Sequence, residues 1–331
     1  LGAGTALGAP AVSLRLYAPR ERLAGRELDD AVTSAYRPVE ELFSTSPDGA
    51  VITGCEPAGG DLRGEPLWPL YERIFEWAPG ATRSLWLACL AAHAALAHYD
   101  GLWRRPLPTK YSAVLSQAVD WDHPLTAGLP VRVAIPHSRA NEVPTAALRS
   151  AGYRLAIASA ETGWTVATAE RAGCLLVAVQ GHPEYAADTL LREYRRDVRR
   201  FLAKERDLYP PLPAGYLDRA AEERFTAFRR RAERHQTERH QTEHRQAEHR
   251  GPGGAADGSQ ASSRPVGDPE LIEQFPFAEE AARLRASWAP VAARLGRNWL
   301  AGLAGTAPGA RSQLEANPRD AGTPVPASAR R

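Results

Sequence analysis

The sequence predicts an α/β domain with a parallel sheet, and three observations carry that reading. Short apolar runs recur along residues 10–210. Stretches with apolar residues at helical spacing lie between them. Runs such as Ala50–Gly54 stop at a glycine, as buried strands do at a turn. Strands alternating with helices give a parallel sheet with helices on its faces.

Val-Ser-Leu-Arg-Leu-Tyr at 12–17 alternates apolar and polar groups and predicts a half-buried strand. Residues 27–44 carry a helix to Ser34 and then a loop, because Pro38 breaks the pattern. Ala50–Gly54 is a buried strand. Leu67, Leu70, Tyr71, Ile74 and Phe75 place a helix over 66–77. Ser84–Ala88 is a strand that runs straight into Cys89 and a helix from Leu90 to Tyr99. Further strands follow at Tyr111–Val119, Val131–Ile135, Tyr153–Ser159, Thr165–Glu170 and Cys174–Gln180. Ala187–Lys204 is a helix with a heavily basic outer face.

Beyond residue 218 the composition changes. Arg229–Arg250 repeats His-Gln-Thr-Glu among arginines, and Gly251–Asp268 is rich in Gly, Ser, Ala and Pro, as flexible linkers are. Phe275–Leu303 regains apolar spacing, with Trp288 and Trp299, and is expected to pack back on the core. The expected division is a catalytic-type domain at 10–217, a charged low-complexity insertion at 218–268, a C-terminal helical segment at 269–304 and a disordered tail at 305–331.

The 331 residues are 44% hydrophobic and 24% charged, which fits a soluble globular chain. They hold no apolar run of about 18 residues, so no membrane-spanning helix is expected. Lys+Arg 41 against Asp+Glu 39 gives +2, no general case for nucleic acid or an anionic membrane as partner. Cys55, Cys89 and Cys174 are too few for a disulfide framework and point to free thiols in a reducing cytoplasm. Leu1–Pro10 lacks the features of a secretory signal. With no Met anywhere and Leu1 at its start, the chain is expected to be truncated or processed at its N-terminus.

Cys89, at a strand-to-helix junction, has small neighbours Ala88, Ala91, Ala92 and Ala94. A nucleophile on a sharp turn needs such neighbours, because backbones approach closely there. A sulfur at a helix N-terminus also meets the positive end of the helix dipole. Taken alone, a cysteine of this kind is more often an inert core residue.

Gly181-His182-Pro183-Glu184-Tyr185 follows the strand 174–180, at the sheet edge where open α/β proteins place their ligands. Positions i and i+2 of an extended segment project to one side, so Glu184 can hold the His182 ring while His182 acts as base. Considered singly, a loop histidine beside a solvated glutamate is as good a reading.

Taken together, Cys89, His182 and Glu184 resemble the class I glutamine amidotransferase-like fold, with its cysteine elbow and late His-Pro-Glu. The closer resemblance is to the homoserine O-succinyltransferase family. Val51-Ile52-Thr53-Gly54, Trp68-Pro69, Glu76-Trp77, Pro136-His137-Ser138-Arg139, the His-Pro-Glu-Tyr stretch with Asp188-Thr189-Leu190, Glu193, Arg196 and Asp197, and Asn298-Trp299-Leu300 carry it. It covers about residues 12–210 and a piece near 298. The implied fold is a three-layer, mostly parallel, flavodoxin-like sheet.

The resemblance implies that Cys89 accepts the acyl group, His182 is the general base and Glu184 orients it. It implies substrate contacts at Lys110, Ser138 and Arg196, an acyl-donor loop containing Gly54, Cys55, Glu56 and Ala58, and an oxyanion donor at the Leu90 N–H. By their residues alone, Lys110 reads as a surface loop lysine, Ser138 as a turn residue and Arg196 as part of a solvated face. The implied reaction moves an acyl group from acyl-CoA, as co-substrate, to the hydroxyl of L-homoserine in methionine biosynthesis, with no bound cofactor and no metal. A homodimer is left open.

The chain departs from the family pattern in two places. Leu90 stands where Trp is usual, and the donor loop reads Thr53-Gly54-Cys55-Glu56-Pro57-Ala58 in place of Thr-Gly-Ala-Pro. A small residue at the Ala58 position goes with succinyl-CoA, and Glu there with acetyl-CoA. Rival readings are a homoserine O-acetyltransferase, a glutamine amidotransferase-like cysteine hydrolase, and an inactive binding protein of this fold. His235, His240, His244 and His249, spaced five, four and five apart, read better as part of a solvated spacer than as a metal site.

Overall fold

Seven strands pair in the order β3-β4-β9-β8-β7-β5-β6. They are β3 (Gly49–Ile52), β4 (Ser84–Ala88), β5 (Arg105–Val119), β6 (Arg132–Glu142), β7 (Arg154–Ser159), β8 (Gly163–Arg171) and β9 (Cys174–Val179). The computed structural model describes residues 11–23, 34–57, 59–249 and 269–305. Its helices are α1 (Arg20–Leu23), α2 (Trp68–Trp77), α3 (Leu90–Asp100), α4 (Thr145–Ser150), α5 (Thr189–Leu202), α6 (Arg219–His249), α7 (Pro269–Glu273), α8 (Phe277–Arg283) and α9 (Ala289–Leu303).

The sheet has helices on both faces, as a three-layer α/β fold requires. Alternation along the strands sends Leu85, Leu87, Leu176 and Ala178 to the face covered by α2 and α3. Trp86, Val177 and Val179 go to the opposite face, where Val291, Leu295 and Trp299 of α9 pack. Trp299 stands edge-on to Trp86, with centroids 5.7 Å apart, and its Nε1–H donates to Ser84 Oγ at 2.9 Å. Asn298 donates to the carbonyls of Leu125 and Ala127. The segment near 298 therefore clamps α9 to the sheet.

Within the seven-stranded sheet, parallel pairing is confined to β3, β4 and β9. The pairs from β9 through β8, β7 and β5 to β6 are antiparallel. The sheet is thus more mixed than the expected mostly parallel one. The reason is local: β7, β8 and β9 are joined by short turns, three residues at Ala160–Thr162 and two at Ala172–Gly173, and connections this short make antiparallel neighbours. The parallel strands are the ones whose C-terminal ends carry the site.

Three expectations need adjusting. The strand near 12–17 forms only at β1 (Leu16–Ala18), pairs with β2 (Tyr36–Pro38) and stays outside the main sheet; Val12 and Leu14 are exposed. Its alternating run is too short to find a buried face. Most of the helix expected up to Ser34 lies outside the described residues, as do the linker 251–268 and the tail beyond 305. The strand expected at Val131–Ile135 continues to Glu142 through Pro136. Proline is tolerated there because β6 is an edge strand and needs no second ladder.

Residues after 218 begin as a packed element. Ala221, Phe225, Phe228 and Ala232 of α6 are buried against Leu191, Tyr194, Val198 and Phe201 of α5, with Leu271 and Phe275 completing the cluster. Gln236 Nε2 donates to the carbonyls of Phe201 and Leu202.

Candidate active site

The turn between β4 and α3 is a single strained residue. Cys89 has φ 49° and ψ −107°, a conformation that costs a non-glycine residue about 1–3 kcal/mol. Two backbone bonds hold it there: its N–H donates to the Val179 carbonyl at 2.7 Å, and its carbonyl accepts the His93 N–H at 3.1 Å. Ala88, Ala91, Ala92 and Ala94 are buried around it. Gly54, after β3, closes the corner from the other side. A Cβ on Gly54 would lie 2.8 Å from the Ala88 carbonyl oxygen and 2.9 Å from the Leu90 nitrogen, so only glycine lets this loop reach the elbow.

His182 enters from the end of β9. Its N–H donates to the Pro136 carbonyl at 2.8 Å. A Cβ on Gly181 would meet Ile135 at 2.8 Å and Thr165 at 2.9 Å, so this glycine sets the depth of the loop. The ring is buried and stacked on Tyr185, with centroids 4.2 Å apart and planes 20° from parallel. Nδ1 donates to Glu184 Oε1 at 2.8 Å. Nε2 is buried with no geometric hydrogen bond of its own, and the thiol of Cys89 is near enough to act on the charge of the ring. Burial by itself lowers the His182 pKa; hydrogen bonding and charge from Cys89 and Glu184 outweigh it and raise it to about 10.

His137 lies behind this corner and has the opposite character. Burial, then the charges of Arg139 and His182, push its pKa down to about 3. His93, whose Nε2 is 3.0 Å from Gln180 Oε1, is pushed to about 4, mainly by burial. The site thus stands on neutral histidines and contains one that favours its charged form.

Lys110, Ser138 and Arg196 meet on the face of α5. Lys110 is in strand β5, at the register shift between Pro106 and Tyr111, and not in a loop as its prolines implied. Its Nζ donates to Asp197 at 2.8 Å and to Glu193 at 3.5 Å. Ser138 Oγ donates to Glu193, and Tyr185 Oη donates to the other oxygen of Glu193 at 2.7 Å. Arg196 holds Asp197 at 3.1 Å and Glu56 of the Gly54 loop at 3.1 Å. Arg200 reinforces the second contact, donating to Glu56 at 2.6 Å. Burial would raise the Asp197 pKa, but Lys110 and Arg196 lower it; the Arg200 hydrogen bond leads in lowering that of Glu56.

Cys89, His182, Glu184, Leu90, Gly54, Glu56, Lys110, Ser138 and Arg196 therefore lie in one connected cluster. Cys89, His182 and Glu184 form its thiol corner, and Leu90 presents its N–H beside Gly54. Lys110, Ser138 and Arg196 form its charged side, joined to the corner through Tyr185. Cys55 lies in the same loop as Gly54 and Glu56, half-buried. Ala58 lies outside the described residues. Tyr185, Glu193 and Asp197 were not among the predicted site residues, although Glu193 and Asp197 stand four apart on one helix face. Arg139 was also missed. It is buried, donates to the Thr162 carbonyl at 2.6 Å and stands over the Tyr111 ring. Among the described residues no cluster of three metal-ligating side chains occurs, and no helix is long and apolar enough to cross a membrane. The side chains of His240, His244 and His249 lie outside the described set.

A sequence model of the family described as homoserine O-succinyltransferase matches residues 6–306. A homoserine O-succinyltransferase from Methylorubrum extorquens is 38% identical over 296 residues, 88% of this chain and 78% of that protein. One from Rhodopseudomonas palustris is 39% identical over 202 residues, 61% of this chain and 60% of that protein. Among solved structures, a glutamine amidotransferase from Thermotoga maritima matches with a TM-score of 0.35 at 15% identity, covering 56% of this chain and 71% of that one.

Proposed function

The chain belongs to the homoserine O-succinyltransferase family, and from that premise we propose that it transfers a succinyl group from succinyl-CoA to the hydroxyl of L-homoserine through a cysteine acyl-enzyme. The observation that carries the reading is the convergence of three distant stretches: a strained Cys89 elbow, a buried His182 facing it, and Glu184 on the far side of that ring.

In the first half-reaction the Cys89 sulfur attacks the thioester carbonyl, and the carbonyl oxygen becomes an oxyanion. The Leu90 N–H, with the Gly54 loop packed against it, is the donor placed to receive it. The tetrahedral intermediate collapses, the C–S bond to coenzyme A breaks, and protonated His182 supplies the leaving thiolate with a proton. In the second half-reaction the homoserine hydroxyl attacks the acyl-enzyme while His182 takes its proton. The C–S bond to Cys89 then breaks and O-succinylhomoserine leaves. Glu184 fixes the ring so that Nε2, and not Nδ1, faces the sulfur in both steps.

Lys110, Ser138 and Arg196 are the groups we assign to the amino acid. A guanidinium suits an α-carboxylate, and Glu193, already an acceptor for three side chains, suits an α-ammonium. Three cysteines, none in a disulfide, fit a reducing cytoplasm. We take residues 10–217 with the α9 segment as the catalytic unit.

Initial rates with a donor and acceptor panel test the reading. Succinyl-CoA with homoserine is expected to give O-succinylhomoserine faster than acetyl-CoA gives the acetyl ester, with no ammonia released from glutamine. Ammonia from glutamine without acyl transfer would overturn it.

A further inference from the structure

Arg192, Arg195, Arg196 and Arg199 stand at i, i+3, i+4 and i+7 of α5 and form one stripe, about 10 Å from end to end at 1.5 Å per residue. Together with Phe277 of α8 they line an open cleft of about 300 Å³. A stripe of four cations is usually neutralised by acids along its own helix or the next. Two of these are: Arg192 by Asp188 at 2.7 Å, and Arg196 by Asp197 and Glu56. Among the described residues Arg195 and Arg199 have no carboxylate within 4.0 Å. Arg195 lies over the Phe277 ring at 5.1 Å, and its Nε is buried without a hydrogen-bond partner. Burial and the neighbouring Arg199 both work against its charge. The arrangement holds like charges together around a half-buried aromatic ring and leaves the buried Arg195 Nε without a partner.

The cleft shares one residue, Arg196, with the candidate active site. Arg196 lines it and also touches Glu56 of the loop that packs on the Cys89 elbow. A ligand whose reacting end sits at the thiol and whose other end carries phosphates and a purine would lie along this face. Guanidinium groups match phosphate oxygens in pairs, and a free aromatic face suits a purine ring.

We propose that the Arg195–Arg199–Phe277 cleft binds the phosphorylated nucleotide end of the acyl-CoA donor, the phosphates on Arg195 and Arg199 and the adenine on Phe277. This rests on the acyl-CoA reading above for the identity of the ligand. The expected binding falls with salt, because phosphate contacts release counterions.

The test uses the full chain and coenzyme A itself as the probe, with affinity measured calorimetrically in the absence of acceptor. R195A/R199A is expected to weaken coenzyme A binding about tenfold to a hundredfold and to flatten its salt dependence. A control pair on α6, R230A/R234A, removes the same charge from another surface and is expected to leave the affinity unchanged. With a succinyl thioester of N-acetylcysteamine, which lacks the nucleotide, acylation of R195A/R199A should match the unsubstituted protein. Equal weakening by both pairs would show a net-charge effect and overturn the proposal, as would affinity within about twofold in R195A/R199A. Binding of a single-stranded oligonucleotide at the stripe with no affinity for coenzyme A would also overturn it. If acyl transfer itself were absent but coenzyme A still bound through these arginines, the catalytic reading would fall and this site would stand.

Discussion

The thiol corner and the charged face of α5 lie side by side and are built in opposite ways. At the corner each group has a single role set by backbone: one strained residue, one glycine on either side, one ring held between a sulfur and a carboxylate. Along α5 the charges are shared. Asp197 serves Lys110 and Arg196, Glu193 serves Lys110, Ser138 and Tyr185, and Glu56 serves Arg196 and Arg200. The lesson is about redundancy. A corner fixed by backbone geometry has no spare part, whereas a network of paired charges loses function in steps.

The sharpest break of that contrast comes from the ring and the sulfur. Cys89→Ala is expected to abolish transfer with the fold intact, and His182→Gln to lower the transfer rate by roughly 10²–10⁴-fold, both read by product formation alongside circular dichroism. Retained turnover in Cys89→Ala would place the nucleophile elsewhere.

Next in size is a backbone effect. Gly54→Ala places a methyl group against the Ala88 carbonyl and the Leu90 nitrogen. Overpacking of this kind costs about 1–3 kcal/mol, and because it pushes on the proposed oxyanion donor the acylation rate should fall by about tenfold or more. Urea denaturation and single-turnover acylation separate the two effects. A variant with unchanged acylation would remove the Gly54 loop from the oxyanion site.

The corner should also be acid-sensitive. His93 and His137 have pKa values pushed down to about 4 and about 3 in the fold, against about 6.5 in an unfolded chain. Below pH 6.5 the unfolded chain therefore binds protons that the folded chain refuses. Their contribution to stability is present above about pH 6.5 and shrinks as the pH falls toward 4. His93→Gln, which keeps a partner for Gln180, should flatten that limb in denaturant titrations between pH 7 and 4. An unchanged slope would show that His93 does not govern it.

The smallest effect is expected from the charged face, and it has the opposite sign. Glu56 occupies Arg196 in the free protein, where the acceptor carboxylate is assigned. The pair is half-exposed, so its strength is modest. Glu56→Gln should lower the homoserine KM by a few-fold, about what an exposed ion pair of up to about 1 kcal/mol allows, with little change in kcat. A raised KM would mean that Glu56 helps to build the acceptor site.

Much of the corner was legible because its signals are local. A cysteine among alanines at a strand-to-helix junction, and a histidine two residues from a glutamate after an apolar run, announce themselves in sequence. The strand carrying Pro136-His137-Ser138-Arg139 was cut short because proline reads as a breaker, and only the edge position of β6 removes that objection. Lys110 read as a loop residue for the same reason. The buried stripe of α6, Ala221, Phe225, Phe228 and Ala232, has good helical spacing, but the repeating charged residues beyond it mask the pattern. The Glu56 contacts with Arg196 and Arg200 join residues more than a hundred positions apart, and no local rule reaches that far.

The central claim is that Cys89 carries the acyl group. Intact-mass spectrometry after incubation with succinyl-CoA and no acceptor, followed by peptide mapping, addresses it directly. One succinyl group on Cys89, discharged when homoserine is added, is the predicted result. A protein that stays unmodified while O-succinylhomoserine accumulates in the matched reaction, or that is acylated at Cys55 or Cys174 instead, would contradict it.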